Sequence, residues 1–145
     1  MAGLTRVRQA LATAADVVMP GWTWAYAPDL APPNLGPAGA LIVVVDPTDT
    51  VIERATFDRS FRYRVRCRVM VGGASDRERQ ERLDALVSPD GPASLWAALD
   101  SIASDGEIDY VQVLMVTNYG QLDGQADGVV VLAADLVCEA MVSHL

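Results

Sequence analysis

"FRYRVRCRVMVGG", residues 61–73, puts an arginine at every second position: Arg62, Arg64, Arg66 and Arg68. Phe61, Tyr63, Val65, Cys67 and Val69 fill the positions between. Side chains of a strand alternate between its two faces, so this spacing predicts a β-strand with one apolar and one cationic face. Gly72-Gly73 stops it. The fold follows from what lies on either side of this strand, and the function from what the four arginines meet.

Downstream, Ser75 is placed to cap "DRERQERLDALVS", with Asp76 and Glu78 in the first turn to complement the helix dipole. "SPDGPASLWAALDSIA" reads as a second, shorter helix around Leu95, Trp96, Leu99 and Ile102. "DYVQVLMVTNYG", 109–120, is a strand, and "QLDGQADG" is a turn. "VVVLAADLVCEAMV", 129–142, is the last strand. Its inner face is Leu132, Ala134, Leu136, Cys138, Ala140 and Val142, and Asp135, Glu139 and Ser143 point the other way.

Upstream, Leu4, Val7, Leu11, Ala14 and Val18 recur at helical spacing, with Thr5 as a cap and Pro20-Gly21 as the stop. "WTWAY" is a short strand. "APDLAPPNLGPAG", 27–39, is a proline-rich loop, since proline blocks helix and central strand alike. "ALIVVVD", 40–46, reads as a strand buried on both faces. "PTDTVIERATFD", 47–58, leads back to the arginine strand, so that residues 46–60 could form a hairpin arm. The order is α-β-β-β-α-α-β-β over a single domain, 1–145. It predicts an α+β fold with a mainly antiparallel sheet of four to five strands and helices packed on one face.

Composition narrows the function. The 145 residues are 51% hydrophobic, enough for one core of ordinary size. Net charge is −8, so long-range attraction to DNA or anionic membranes is absent. All eleven basic residues are arginine, as GC-rich codon usage favours. Cys67 and Cys138 both fall in apolar alternation and read as buried free thiols rather than a disulfide framework. The N-terminal segment carries Arg6, Arg8 and Asp16, which suits neither a signal peptide nor a membrane span. A soluble protein made in the cytoplasm is expected.

Chemistry is scarce. The single histidine, His144, is one residue from the C-terminus, and with two core cysteines it cannot complete a zinc set. Asp123 and Asp127 beside two glycines could hold calcium, but they are also what an ordinary turn uses. No phosphate loop, dinucleotide fingerprint or nucleophile elbow is present. The expectation is no enzyme, no cofactor and no metal.

That leaves the arginine stripe. A nucleic-acid platform needs aromatics among the charges, and Phe61 and Tyr63 fall on the opposite face. Asp135 and Glu139 of the last strand are the nearest expected partners, each facing pair adding ~0.2–1 kcal/mol. Four arginines against two acids leave a surplus, which acids of another copy could meet. Arginine suits such a contact because its planar fork binds carboxylates bidentately. Pairing within the chain and pairing with a partner both stay open here. The candidate interface set is Arg62, Arg64, Arg66, Arg68, Asp135 and Glu139, with Glu53 and Arg54 from the arm.

The whole layout resembles a known family. The N-terminal helix, the proline-rich "APDLAPPNLGPAGALIVV", the block "YRVRCRVMVGGASDRERQERLDALVSPDGPASLWAAL", then "VQVLMVTNYG" and "VVVLAADLVCEAMV" are similar in size and order to small tail terminator proteins of long-tailed, siphovirus-type bacteriophages infecting high-GC actinobacteria. The resemblance implies a hexameric ring of this chain in the neck region of the virion, assembled in the host cytoplasm. The ring caps the head-proximal end of the tail tube, ends tube polymerisation and presents the surface that joins the head. Its implied partners are other copies of itself, the tail tube protein and the head–tail connector or stopper protein. DNA passes through the lumen without specific binding, and no membrane is involved. The alternatives are another neck protein, such as a head–tail stopper or connector, and a single-strand nucleic-acid-binding α+β module.

Overall fold

The computed structural model describes residues 3–19, 23–26, 41–55, 59–72, 75–104, 106–121 and 131–143. The loop at 27–39, Trp22, Asp123, Asp127 and His144 lie outside them. The elements run α1 (Gly3–Val18), β1 (Thr23–Trp24), β2 (Leu41–Arg54), β3 (Ser60–Val71), α2 (Asp76–Val87), α3 (Leu95–Asp100), β4 (Ile108–Gln121) and β5 (Leu132–Ser143). The class and order are those expected from the sequence.

The sheet order is β1-β2-β3-β5-β4, with all pairs antiparallel except the two-residue β1 beside β2. β5, the last strand in sequence, sits between β3 and β4, which therefore run parallel to each other. Parallel strands need a crossover, and α2 with α3 provides it. All three helices lie over one face of the sheet.

The covered face carries the core. β3 contributes Tyr63, Val65, Cys67, Val69 and Val71, and β5 contributes Ala134, Leu136, Cys138, Ala140 and Val142. The small residues of β5 leave room for Leu83 and Leu86 of α2 and for Leu95 and Leu99 of α3, all buried. α1 adds Val7, Leu11 and Ala15. Its Arg8, only 9% exposed, donates to the Val45 carbonyl at 3.3 Å and lies over the Tyr26 ring, tying helix to β2 and β1.

Local signals explain the helix ends. Ser75 Oγ accepts from the Glu78 N–H at 3.2 Å, and Ser94 Oγ from the Ala97 N–H at 2.9 Å, so both crossover helices start on serine caps. Thr5 is not a cap, because α1 already runs from Gly3. Between α2 and α3, Gly91 takes φ 102°, a conformation closed to most side chains.

β2 differs from its reading. It does not stop at Asp46 but continues to Arg54, pairing with β3 on both sides of a bulge between Asp46 and Val51. Residues 51–54 pair with 61–64 inside the sheet, so this part of the expected arm folds back on its own chain. β4 has three register shifts against β5. At its edge, the Val113 N–H donates to Asp100 Oδ1 at 2.7 Å, while Trp96 Nε1 holds Oδ2 at 3.0 Å.

The thiols behave as expected of core residues, since Cys67 and Cys138 are buried and free. A hydrogen bond with Cys67, then burial, pushes the Cys138 thiol well above its ordinary range. Both should resist a disulfide-exchange reagent in the native state and react at the rate of global unfolding, measured by reagent colour against circular dichroism. Fast labelling of the native chain would contradict this packing.

At the far end of β4, the Tyr119 hydroxyl donates to Asp84 of α2 at 2.8 Å. Burial, and then this carboxylate, push Tyr119 from 10.0 up to about 12. A raised tyrosine holds its proton more tightly when folded. Its contribution is therefore full below about pH 10 and is lost as pH rises through about 12. Tyr119→Phe should flatten the decline of stability across that window in alkaline urea titrations.

Candidate interface on the open sheet face

β3 puts Arg62, Arg64, Arg66 and Arg68 on the face that no helix covers. The flanking strands bring acids to the same face by the same two-residue period. In register, Arg64 lies opposite Glu139 and Arg68 opposite Asp135 on β5, and Arg62 lies opposite Glu53 on β2.

Asp135 is the hub. Arg68 binds it bidentately, Nε to Oδ1 at 2.9 Å and Nη2 to Oδ2 at 3.3 Å. Arg66 Nη1 lies 3.3 Å from Oδ2, and Asn118 Nδ2 donates to the same oxygen at 2.9 Å. With these three partners packed over it, the carboxylate is 1% exposed on a face that has no helix. A carboxylate can be buried this deeply only if its lone pairs are met by charged or polar donors.

Glu139 is the second centre. It accepts from the Tyr110 hydroxyl at 2.9 Å, with Arg62 Nε at 3.7 Å and Arg64 Nη2 at 3.9 Å. Burial, reinforced by the bond to Glu139, raises the Tyr110 pKa. The outer side of the stripe is closed by β2. Glu53 pairs with Arg62 at 3.2 Å and Asp49 with Arg66 at 2.7 Å.

The surplus expected from the sequence is thus met inside the chain. Among the described side chains, each of the four guanidiniums lies within 4 Å of a carboxylate, the four acids being Asp49, Glu53, Asp135 and Glu139. Arg54, also a candidate, stands opposite a core-side residue of β3. It pairs in register with Phe61 and lies over that ring at 5.1 Å.

Three members were not singled out from the sequence: Asp49, Tyr110 and Asn118. Asp49 and Asn118 are the two described non-glycine residues with positive φ, 60° and 56°. Both stand at register shifts, one in β2 and one in β4. Asp and Asn tolerate this left-handed conformation better than other side chains. Each bulge re-aims one polar side chain onto an arginine or onto Asp135. The available signal was a turn residue inside a strand-like run, in "PTDT" and "TNYG".

The arrangement is one of arginines and carboxylates bound to one another. Among the described residues, no group of three or more His, Cys, Asp or Glu is placed to hold a metal. The described side chains form a charge-paired, polar face. A nucleic-acid backbone would have to displace carboxylates already bound to Arg62, Arg66 and Arg68, which lessens the counterion-release advantage of a basic groove.

Removing the hub should cost far more than removing a rim acid. Asp135→Ala leaves Arg66 and Arg68 without their buried partner and should lower stability by about 3–5 kcal/mol. Glu53→Gln, at an exposed pair, should cost at most about 1 kcal/mol. Chemical denaturation of both variants checks this, and equal losses would show that Asp135 is no hub. In comparisons with known proteins, no family model matches the chain and no curated sequence matches it significantly.

Proposed function

We propose that this chain is a tail terminator of a long-tailed bacteriophage, a structural ring protein without catalytic activity. The observation that carries the reading is the element order α-β-β-β-α-α-β-β around an antiparallel sheet with helices on one face. It is the layout on which the sequence resemblance rests. In this reading, copies of the chain close into a ring of six on the head-proximal end of the tail tube. One rim meets the tube protein and ends its growth, and the other joins the connector or stopper of the head.

Two physical features support it. The described side chains of one sheet face form a polar lattice that no described helix covers, which leaves that face available to another subunit. The chain carries −8 overall, and its richest run of positive charge lies against carboxylates of the same chain. A ring of such subunits repels the phosphate backbone, so DNA slides through the lumen without sticking. The same pairing weakens the alternative of a single-strand nucleic-acid module, which requires uncompensated cations beside exposed aromatics. None of the described helices is long and apolar enough to cross a membrane.

The test is native mass together with negative-stain imaging, with and without polymerising tail-tube protein of the same virus. Rings at one end of tubes of limited length are expected. Tubes that keep growing uncapped in a molar excess of the chain would overturn the reading. A free monomer on its own would not, since the tube end can template the ring.

A further inference from the structure

Arg64 is the most loosely held arginine of the stripe. Among the described acids it reaches Glu139 alone, at 3.9 Å, and its side chain stays 47% exposed. It borders a cavity of about 300 Å³ in the open face, where Val51, Met115 and Val137 provide apolar wall and Asp49, its charge held by Arg66 at 2.7 Å, stands on the rim. Thr117 borders the same cavity, and its buried hydroxyl oxygen has no hydrogen-bond partner. A guanidinium with spare donors, a buried hydroxyl without a partner and an apolar wall together suit a carboxylate on a short stem.

The chain itself presents such a carboxylate. Among the acids whose side chains the structure describes, Asp90 alone has no hydrogen bond or ion pair. It stands in the turn between α2 and α3, where Pro89 to Ala93 are all exposed. The turn is stiff. Pro89 and Pro92 flank it, Gly91 holds φ 102°, and the Ser94 hydroxyl donates to the Ser88 carbonyl across its base. A stiff turn loses little conformational freedom on docking. α2 and α3 lie on the covered side of the sheet, and Arg64 faces the other way. Asp90 and Arg64 therefore cannot meet within one chain.

We propose that the Asp90 turn of one copy docks its carboxylate onto Arg64 and Thr117 in the open-face cavity of a second copy. The two patches differ, so the contact is heterologous and repeats from copy to copy. It names the contact that the proposed ring would use and to that extent rests on that reading, but it can be tested without any tube.

The experiment is sedimentation velocity of the full chain over a concentration series. The wild type should self-associate. Asp90→Asn, which removes only a charge from an exposed turn, should weaken association about tenfold, and Asp90→Arg or Arg64→Asp at least as much. Combining Asp90→Arg with Arg64→Asp should restore it. Thermal unfolding identifies any variant that has lost its fold, and Asp90→Asn decides the matter if Arg64→Asp has. A wild type that stays monomeric throughout, an Asp90→Asn that associates like wild type, or a folded charge-reversed pair that fails to recover would each overturn the contact. Association that depends on the pair without any capping of tubes would remove the tail reading and leave the contact standing. Capped tubes from a chain whose association ignores the pair would do the reverse.

Discussion

A one-residue slip of β3 against either neighbour would turn four guanidiniums into the helix-covered core and Tyr63, Val65, Cys67 and Val69 out of it. No rearrangement of three short helices could repair that. The register of the central strand is therefore the constraint on which the rest of the molecule depends. Two independent interactions enforce it. On one face, close packing against α1, α2 and α3 fixes the apolar set. On the other, Asp135 and Glu139 hold arginines of β3 two residues apart, and a slipped strand would leave both carboxylates buried without partners.

This double fixing explains an otherwise odd allocation of charge. Asp135 is as buried as the core leucines, although it lies on the side without helices. The cost of dehydrating it is offset by a bidentate arginine, a second arginine and an asparagine. Such a lattice adds less net stability than an apolar core of the same volume. Its value is specificity of pairing, and a face that stays polar and ordered without needing a cover.

The strands and helices were legible because their periods are strict. Alternation in residues 61–69 and 132–142 separates core from lattice residue by residue, and it is enough to pair the arginines with Asp135 and Glu139. Asp49 and Asn118 were not legible, because a bulge breaks the period that the reading relies on. A left-handed aspartate or asparagine within a strand looks, in sequence, like the end of that strand. The length of β2 escaped for the same reason, since Pro47 argues against a continuing strand and the bulge is what accommodates it. What a surface is for leaves a fainter trace than how it folds, because charge pairing across three strands appears only once their register is known.

The Asp100 carboxylate that takes the Val113 N–H has a consequence for how copies of this chain can grow upon one another. β4 is the outermost long strand, and an unguarded strand of that length would template the addition of another strand, chain after chain. A negative charge seated on its middle amide, together with a backbone kinked at three places, denies an incoming strand any continuous ladder. This edge of the sheet is thereby guarded against open-ended, fibre-like stacking.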